Sequence, residues 1–243
     1  PVMLPLFKDL LGDGSEVGIK LEYAIQKRPK GIAEAFIIGR HFIGKDNCTL
    51  ILGDNIFYGH GFINLLANAK ACISGASIFA YWVANPQEYG VVDLDENGKA
   101  TKLIEKPVNP TSNWAVTGLY FFDNQVCKIA SEVTPSARGE LEITDVIRTY
   151  MNNDKLNVEL LGRGFAWLDT GTHDTLLQAS QFVQTVEHRQ GLKIACLEEI
   201  AFYMNFIDLR HFKKIADIKS DSAYGQYLLG VAKEVEDKKK NPK

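Results

Sequence analysis

The 243-residue chain has only four cysteines, Cys48, Cys72, Cys127 and Cys196, and no two of them form a C-x-x-C pair. Thiols so scattered argue against a disulfide framework and against a zinc site, and make a reducing cytoplasm the simplest setting. The five histidines follow no metal-ligand spacing either. No apolar run approaches the roughly 18 residues of a membrane span, so no membrane partner is expected. An excess of one charge is also missing. Lys+Arg number 27 against 30 Asp+Glu, a net charge of −3, and no nucleic-acid footprint is expected. A Ser-His-Asp ordering, a nucleophilic-cysteine context and a G-x-x-x-x-G-K-S/T loop are all absent. Those absences argue against covalent catalysis by a side chain of the protein. The chain opens at Pro1 without methionine, so its true start is expected upstream.

What is present is ordinary for a globular chain: 46% hydrophobic and 23% charged residues, enough to bury a full core. The pattern predicts a helix over Leu4–Leu11, stopped by Gly12-Asp13-Gly14-Ser15, and a strand over the alternating Ile19, Leu21, Tyr23 and Ile25. A helix over Ile32–Phe42, a strand over Thr49–Leu52, a helix over Phe62–Ile73 and a strand over Ala76–Val83 follow. This alternation argues for an α/β protein with a parallel sheet. Asn97-Gly98, between Tyr89–Leu94 and Ala100–Glu105, is a hairpin signal. Further strands are expected at Ala115–Phe122, Val158–Leu161 and Ala166–Leu168, and helices at Val126–Glu132 and Glu142–Asn152. Thr172 is placed to cap a long helix that Gly191 ends. Beyond it lie three helices with short loops and a charged tail, Lys238–Lys243, expected to fray. The domain reading is a core over 1–191 and a helical C-terminal subdomain over 192–243.

Chemistry concentrates where apolar runs end. Thr49-Leu50-Ile51-Leu52 reads as a strand buried on both faces of a parallel sheet, closed by Gly53-Asp54-Asn55. Asp54 then emerges at the sheet edge where α/β proteins bind ligands, either as a ligand of a divalent cation or as a plain turn aspartate. Asp169, after Trp167-Leu168 and before a helix, repeats the design. The two could converge on one metal, or Asp169 could simply start a helix. Glu105 and Lys106 end a strand and point to opposite faces if it is regular, as a sugar binder beside a phosphate binder or as a solvated charge pair. Gln26 and Gly31 bracket a basic loop that offers an amide and a close backbone N–H, or is only surface. Arg138 could meet a phosphate or form a salt bridge leading into the next helix.

Together these stretches carry a resemblance. Leu52-Gly53-Asp54-Asn55-Ile56-Phe57-Tyr58-Gly59-His60, Tyr89-Gly90-Val91-Val92, Glu105-Lys106-Pro107 and Ala115-Val116-Thr117-Gly118-Leu119-Tyr120 open the series. Ser136-Ala137-Arg138-Gly139-Glu140-Leu141-Glu142-Ile143-Thr144-Asp145, Trp167-Leu168-Asp169-Thr170-Gly171-Thr172-His173 and Glu198-Glu199-Ile200-Ala201-Phe202 complete it. In this order the chain resembles the sugar nucleotidyltransferase family, most closely its glucose-1-phosphate thymidylyltransferases. The resemblance implies a doubly wound mixed sheet, the Rossmann-like nucleotidyltransferase fold, with a C-terminal helical appendage. It implies the conversion of dTTP and glucose 1-phosphate to dTDP-glucose and pyrophosphate, an early step toward dTDP-rhamnose. It implies Mg2+ on Asp54 and Asp169, and the sugar phosphate on Lys106 and Arg138. Glucose would lie on Tyr89, Gly90, Glu105 and Val116, and thymine on Gln26 and Gly31.

The resemblance further implies a homotetramer built as a dimer of dimers. A second site for dTDP-rhamnose as inhibitor would draw on Gly59, His60, Arg163 and Glu199. That site is expected to be weakened, because Tyr203 stands where an arginine commonly follows Glu-Glu-Ile-Ala-Phe. The family's G-x-G-T-R triphosphate loop has no match here, so the expectation is a chain that begins after it and has little activity by itself. The competing readings are a uridylyl- or cytidylyltransferase and a non-catalytic nucleotide-sugar-binding assembly protein.

Overall fold

The structure, a computed structural model, describes residues 2–71 and 74–240. Contacts divide the chain into two units: Pro1–Ile25 with Val183–Lys243, and Gln26–Phe182. The first 25 residues thus group with the C-terminal helices, and the dividing line within the long helix lies ahead of residue 191.

The helical unit begins with α1 (Leu4–Leu11), ended by Gly12 as its sequence requires. The strand expected over Ile19–Ile25 does not form. Its alternation is real, but no strand among the described residues lies beside it to complete a ladder, and Ile19 and Ile25 are exposed. Gly18 explains how this end is tied in: a Cβ there would lie 2.2 Å from the Phe206 carbonyl oxygen, and its φ of +71° suits glycine. Val17 packs on the core of the later helices, where Phe212, Ile215, Leu228, Val231 and Ala232 are buried together.

The second unit is a mixed sheet covered on both faces. Its strands are β1 (Cys48–Ile51), β3 (Ala76–Trp82), β4 (Gly90–Leu94), β5 (Ala100–Glu105), β6 (Trp114–Phe122) and β7 (Leu156–Leu161), with β2 (Asn55–Gly59) and β8 (Phe165–Asp169) forming a separate ladder. The sheet order is β5-β4-β6-β3-β7, with β1 also on β6. Only β3 and β7 run parallel among the described pairs. The both-face-buried parallel strand expected at Thr49–Leu52 is therefore corrected. β1 is antiparallel to β6 and pairs with no other described strand, which leaves Ile51 62% exposed.

Period-two alternation builds the two faces. Ile78 and Ala80 of β3, with Tyr120 and Phe122 of β6, point into one cluster. Phe79 and Leu119 point into the other. The first cluster packs under α5 (Val126–Glu132) and α6 (Ile143–Asn152), whose Ile143, Val146, Ile147 and Tyr150 recur at helical spacing. α2 (Glu34–Ile38) adds Phe36 to that face, and Ala69 of α4 (Phe62–Ala71) joins the other. Phe79 is fully buried, and its removal should cost about 3–5 kcal/mol.

The single helix expected over Ile32–Phe42 is broken at Gly39 into α2 and α3 (Arg40–Ile43). The end expected for α4 at Ile73 lies outside the described residues, as does the tail beyond Lys240. Asp95 ties the Asn97-Gly98 turn of the β4–β5 hairpin by accepting from the N–H of Asn97 and of Lys99. α7 (His173–Gln190) is capped by Thr172, whose hydroxyl accepts the Thr175 N–H at 3.1 Å. α8 (Leu197–Tyr203), α9 (Leu209–Ile218) and α10 (Ala223–Lys240) complete the chain. No helix among the described residues is long and apolar enough to cross a membrane.

Candidate active site

The β2–β8 ladder decides where the two aspartates go. Its register sets Asn55 opposite Asp169 and Gly59 opposite Phe165. Asp54, immediately before β2, therefore meets Asp169, the last residue of β8. The N–H and hydroxyl of Thr170 both donate to the Asp54 carbonyl oxygen, at 2.8 and 2.9 Å, locking the two turns together. Asp169 Oδ1 accepts the Gly171 N–H at 2.9 Å. A Cβ placed on Gly171 would lie 3.1 Å from Asp169 Oδ1 and 3.9 Å from Asp54 Oδ2, so both carboxylates flank one point. Two acceptor-only carboxylates suit a hard divalent cation, which commonly takes its other ligands from substrate phosphates and water. The donor set therefore fits such a metal. Among the described residues no group of three or more His, Cys, Asp or Glu is arranged to hold a metal ion.

Beside Asp169 opens a cavity of about 230 Å3 lined by Tyr89, Gly90, Glu105, Lys106, Val116, Arg138 and Asp169, with Glu140, Glu142 and Thr144. Seven of the ten residues singled out from the sequence for metal and substrate binding meet here. Glu105 and Lys106 do so for a reason that regular strand geometry misses. β5 ends at Glu105, and Lys106 turns into the left-handed region at φ +43°, its N–H bonded to the Tyr89 carbonyl at 3.0 Å. Both side chains then line one cavity rather than opposite faces. Lys106 makes no ion pair among the described residues. Such strain in a non-glycine residue gathers at functional positions.

Glu105 accepts a hydrogen bond from the Thr144 hydroxyl at the first turn of α6. Gly90 makes room for that contact: a Cβ there would stand 3.2 Å from Glu105 Oε2 and 3.3 Å from Thr144 Oγ1. Arg138 lies in the cavity wall but is already engaged. Its guanidinium donates to both oxygens of Glu142 at 2.9 Å and lies 3.5 Å from Glu105 Oε1. Glu142 in particular raises the Arg138 pKa further. The ion pair leading into the helix and the place in the cavity are both real. Burial, with Asp169 nearby, raises the Tyr89 hydroxyl above its ordinary value.

Gln26 and Gly31 do not line this cavity. They bind each other, Gln26 Nε2 donating to the Gly31 carbonyl at 3.1 Å and to Glu34 Oε2 at 2.7 Å. Gly31 is required where it stands, since a Cβ would lie 2.3 Å from the Leu141 carbonyl oxygen. Gly59 closes β2 against the Phe165 ring, His60 follows it, and Arg163 borders a separate cavity with Tyr81, Trp82 and Trp114. Glu199 belongs to the helical unit, where it accepts the Tyr227 hydroxyl at 2.6 Å. The sequence reading missed Thr144, Glu142 and Asn55 as members of the site. Gly118, a glycine inside a strand, was the available signal for Asn55, because such a glycine marks a close approach.

The nucleotidyl transferase family matches residues 3–186. A glucose-1-phosphate thymidylyltransferase of Neisseria meningitidis serogroup A / serotype 4A is 53% identical over 227 residues, 93% of this chain and 79% of that protein. One from Mycolicibacterium smegmatis is 54% identical over 229 residues, 94% of this chain and 79% of that protein. Among solved structures, a Bacillus anthracis protein described as a glucose-1-phosphate thymidylyltransferase in complex with sucrose superposes with a TM-score of 0.65 at 35% identity. The match covers 74% of this chain and 71% of that one.

Proposed function

This chain belongs to the nucleotidyl transferase family and stands among its glucose-1-phosphate thymidylyltransferases, and we propose that it joins dTTP to glucose 1-phosphate, giving dTDP-glucose and pyrophosphate. A phosphate oxygen of glucose 1-phosphate attacks the α-phosphorus of dTTP. A new P–O bond forms, the bond to the β-bridging oxygen breaks, and pyrophosphate leaves with the electron pair. The nucleophile arrives with the substrate, so the protein aligns it in line and stabilises charge.

The observation that carries this reading is the convergence of Glu105, Lys106, Arg138 and Asp169 on one cavity, with Asp54 beside Asp169. Glu105, Gly90, Tyr89 and the backbone of Val116 hold the sugar. Lys106 takes its phosphate, and Arg138 exchanges part of its contact with Glu142 for the same group. Gln26 and Gly31 receive the thymine. Asp54 and Asp169 hold Mg2+, which when bound draws charge from the phosphate oxygens. The product feeds dTDP-rhamnose synthesis in the cytoplasm. A nucleotide panel with glucose 1-phosphate tests the reading. dTTP should give the fastest sugar-nucleotide formation, and faster transfer from UTP or CTP would replace it.

The same reading includes a homotetramer, a dimer of dimers, inhibited by dTDP-rhamnose at a second site drawn from Gly59, His60, Arg163 and Glu199. Leu197, Ile200 and Phe206 of the helical unit, each about half exposed, support an interface between copies. Light scattering should give four subunits, and a stable monomer would end that part of the reading.

A further inference from the structure

We propose that Asn55 is the positioning residue of the cation site, fixing the rotamer of Asp54 through an amide whose orientation the sheet dictates. The proposal rests on the reading of Asp54 and Asp169 as cation ligands. Asn55 opens β2, and its side chain meets three groups. Its Oδ1 accepts the indole N–H of Trp167 at 2.6 Å and the backbone N–H of Gly118 at 2.9 Å. Its Nδ2 donates to Asp54 Oδ1 at 2.8 Å. An amide nitrogen cannot accept a hydrogen bond. Two N–H donors on one side therefore leave a single orientation, oxygen toward Trp167 and Gly118, nitrogen toward Asp54.

Each anchor belongs to a different layer of the unit. Trp167 lies in β8 and Gly118 in β6, so the amide joins the two-stranded ladder to the main sheet. Gly118 provides the room. A Cβ there would lie 2.6 Å from Asn55 Oδ1 and 2.8 Å from the Leu52 Cβ. Joining the layers needs only the two acceptor bonds. The donor bond is additional, and it engages Oδ1 of Asp54 while Oδ2 lies toward the point that Asp169 also flanks. A neutral donor holds the carboxylate there without cancelling its charge. Partners of this kind, one step outside the ligands, commonly set metal affinity by roughly 10–100-fold.

Mn2+ titration of the purified protein, following free Mn2+ by electron paramagnetic resonance, tests this alongside thermal melts. Asn55→Ala should weaken Mn2+ binding about tenfold or more in protein that remains folded. Trp167→Phe, which keeps Asn55 but removes one anchor, should weaken it by a smaller factor. Unchanged Mn2+ affinity in folded Asn55→Ala overturns the proposal, since a merely structural residue would move the melt and not the titration. Should Asn55→Ala fail to fold, Trp167→Phe decides in the same way. Asp54→Asn separates the two levels. If it binds Mn2+ like the unaltered protein, the aspartate reading falls and this proposal falls with it. If it loses Mn2+ while Asn55→Ala does not, only the role of Asn55 is wrong.

Discussion

Asn55 and Asp169 face each other across the end rung of the β2–β8 ladder. That rung brings Asp54 to Asp169, although the two lie far apart in the chain and each ends a different apolar segment. Asp54→Asn and Asp169→Asn should each lower turnover on the order of 10²-fold or more, as removal of a preorganised charge stabiliser does. Steady-state rates at saturating Mg2+ check this, and near-normal rates in both variants would count against the paired site.

Lys106 separates backbone strain from chemistry. At φ +43° an L side chain costs about 1–2 kcal/mol that glycine does not pay. Lys106→Gly should therefore melt no lower than the unaltered protein. Its turnover should fall and its glucose 1-phosphate requirement rise, because the cavity loses its ammonium. Melting curves with initial rates at varied glucose 1-phosphate measure both, and retained turnover would remove Lys106 from the sugar phosphate.

The helical unit has its own pH dependence. Glu198 is only 6% exposed. Burial pushes its carboxyl up, but hydrogen bonds from Lys219 and Tyr224 outweigh it and hold the pKa below the usual 4.5. A depressed folded-state pKa stabilises the fold above the unfolded value, and that stability is lost as pH falls through the folded one. Melting temperature should hold at neutral pH and drop below about pH 4.5. Glu198→Gln should melt lower at pH 7 and show a shallower acid decline. Parallel acid curves would contradict the assignment.

The local features were legible in the sequence because their causes are local. Asn97-Gly98 marks a turn by its own backbone preferences, and α5 is bounded as its apolar spacing requires. Ile19–Ile25 misled because alternation records two faces but not whether a neighbouring strand exists. β2 was missed because Asn55–Gly59 is half-buried throughout and pairs only with the distant β8. Asp54, Glu105, Lys106 and Asp169 stood out as polar groups closing apolar runs, and Arg138 as the guanidinium of the loop that leads into α6. Thr144 and Asn55 did not, since what gives them a role is the carboxylate each one touches.

In the proposed reaction the sugar phosphate itself is the nucleophile and the protein aligns it. The most direct measurement uses glucose 1-phosphate carrying 18O on its phosphate oxygens, with dTTP and Mg2+, and follows the products by 31P NMR. dTDP-glucose should carry 18O in the bridge between its two phosphorus atoms, and pyrophosphate should carry no label. An unlabelled bridge, or label in pyrophosphate, would contradict this route.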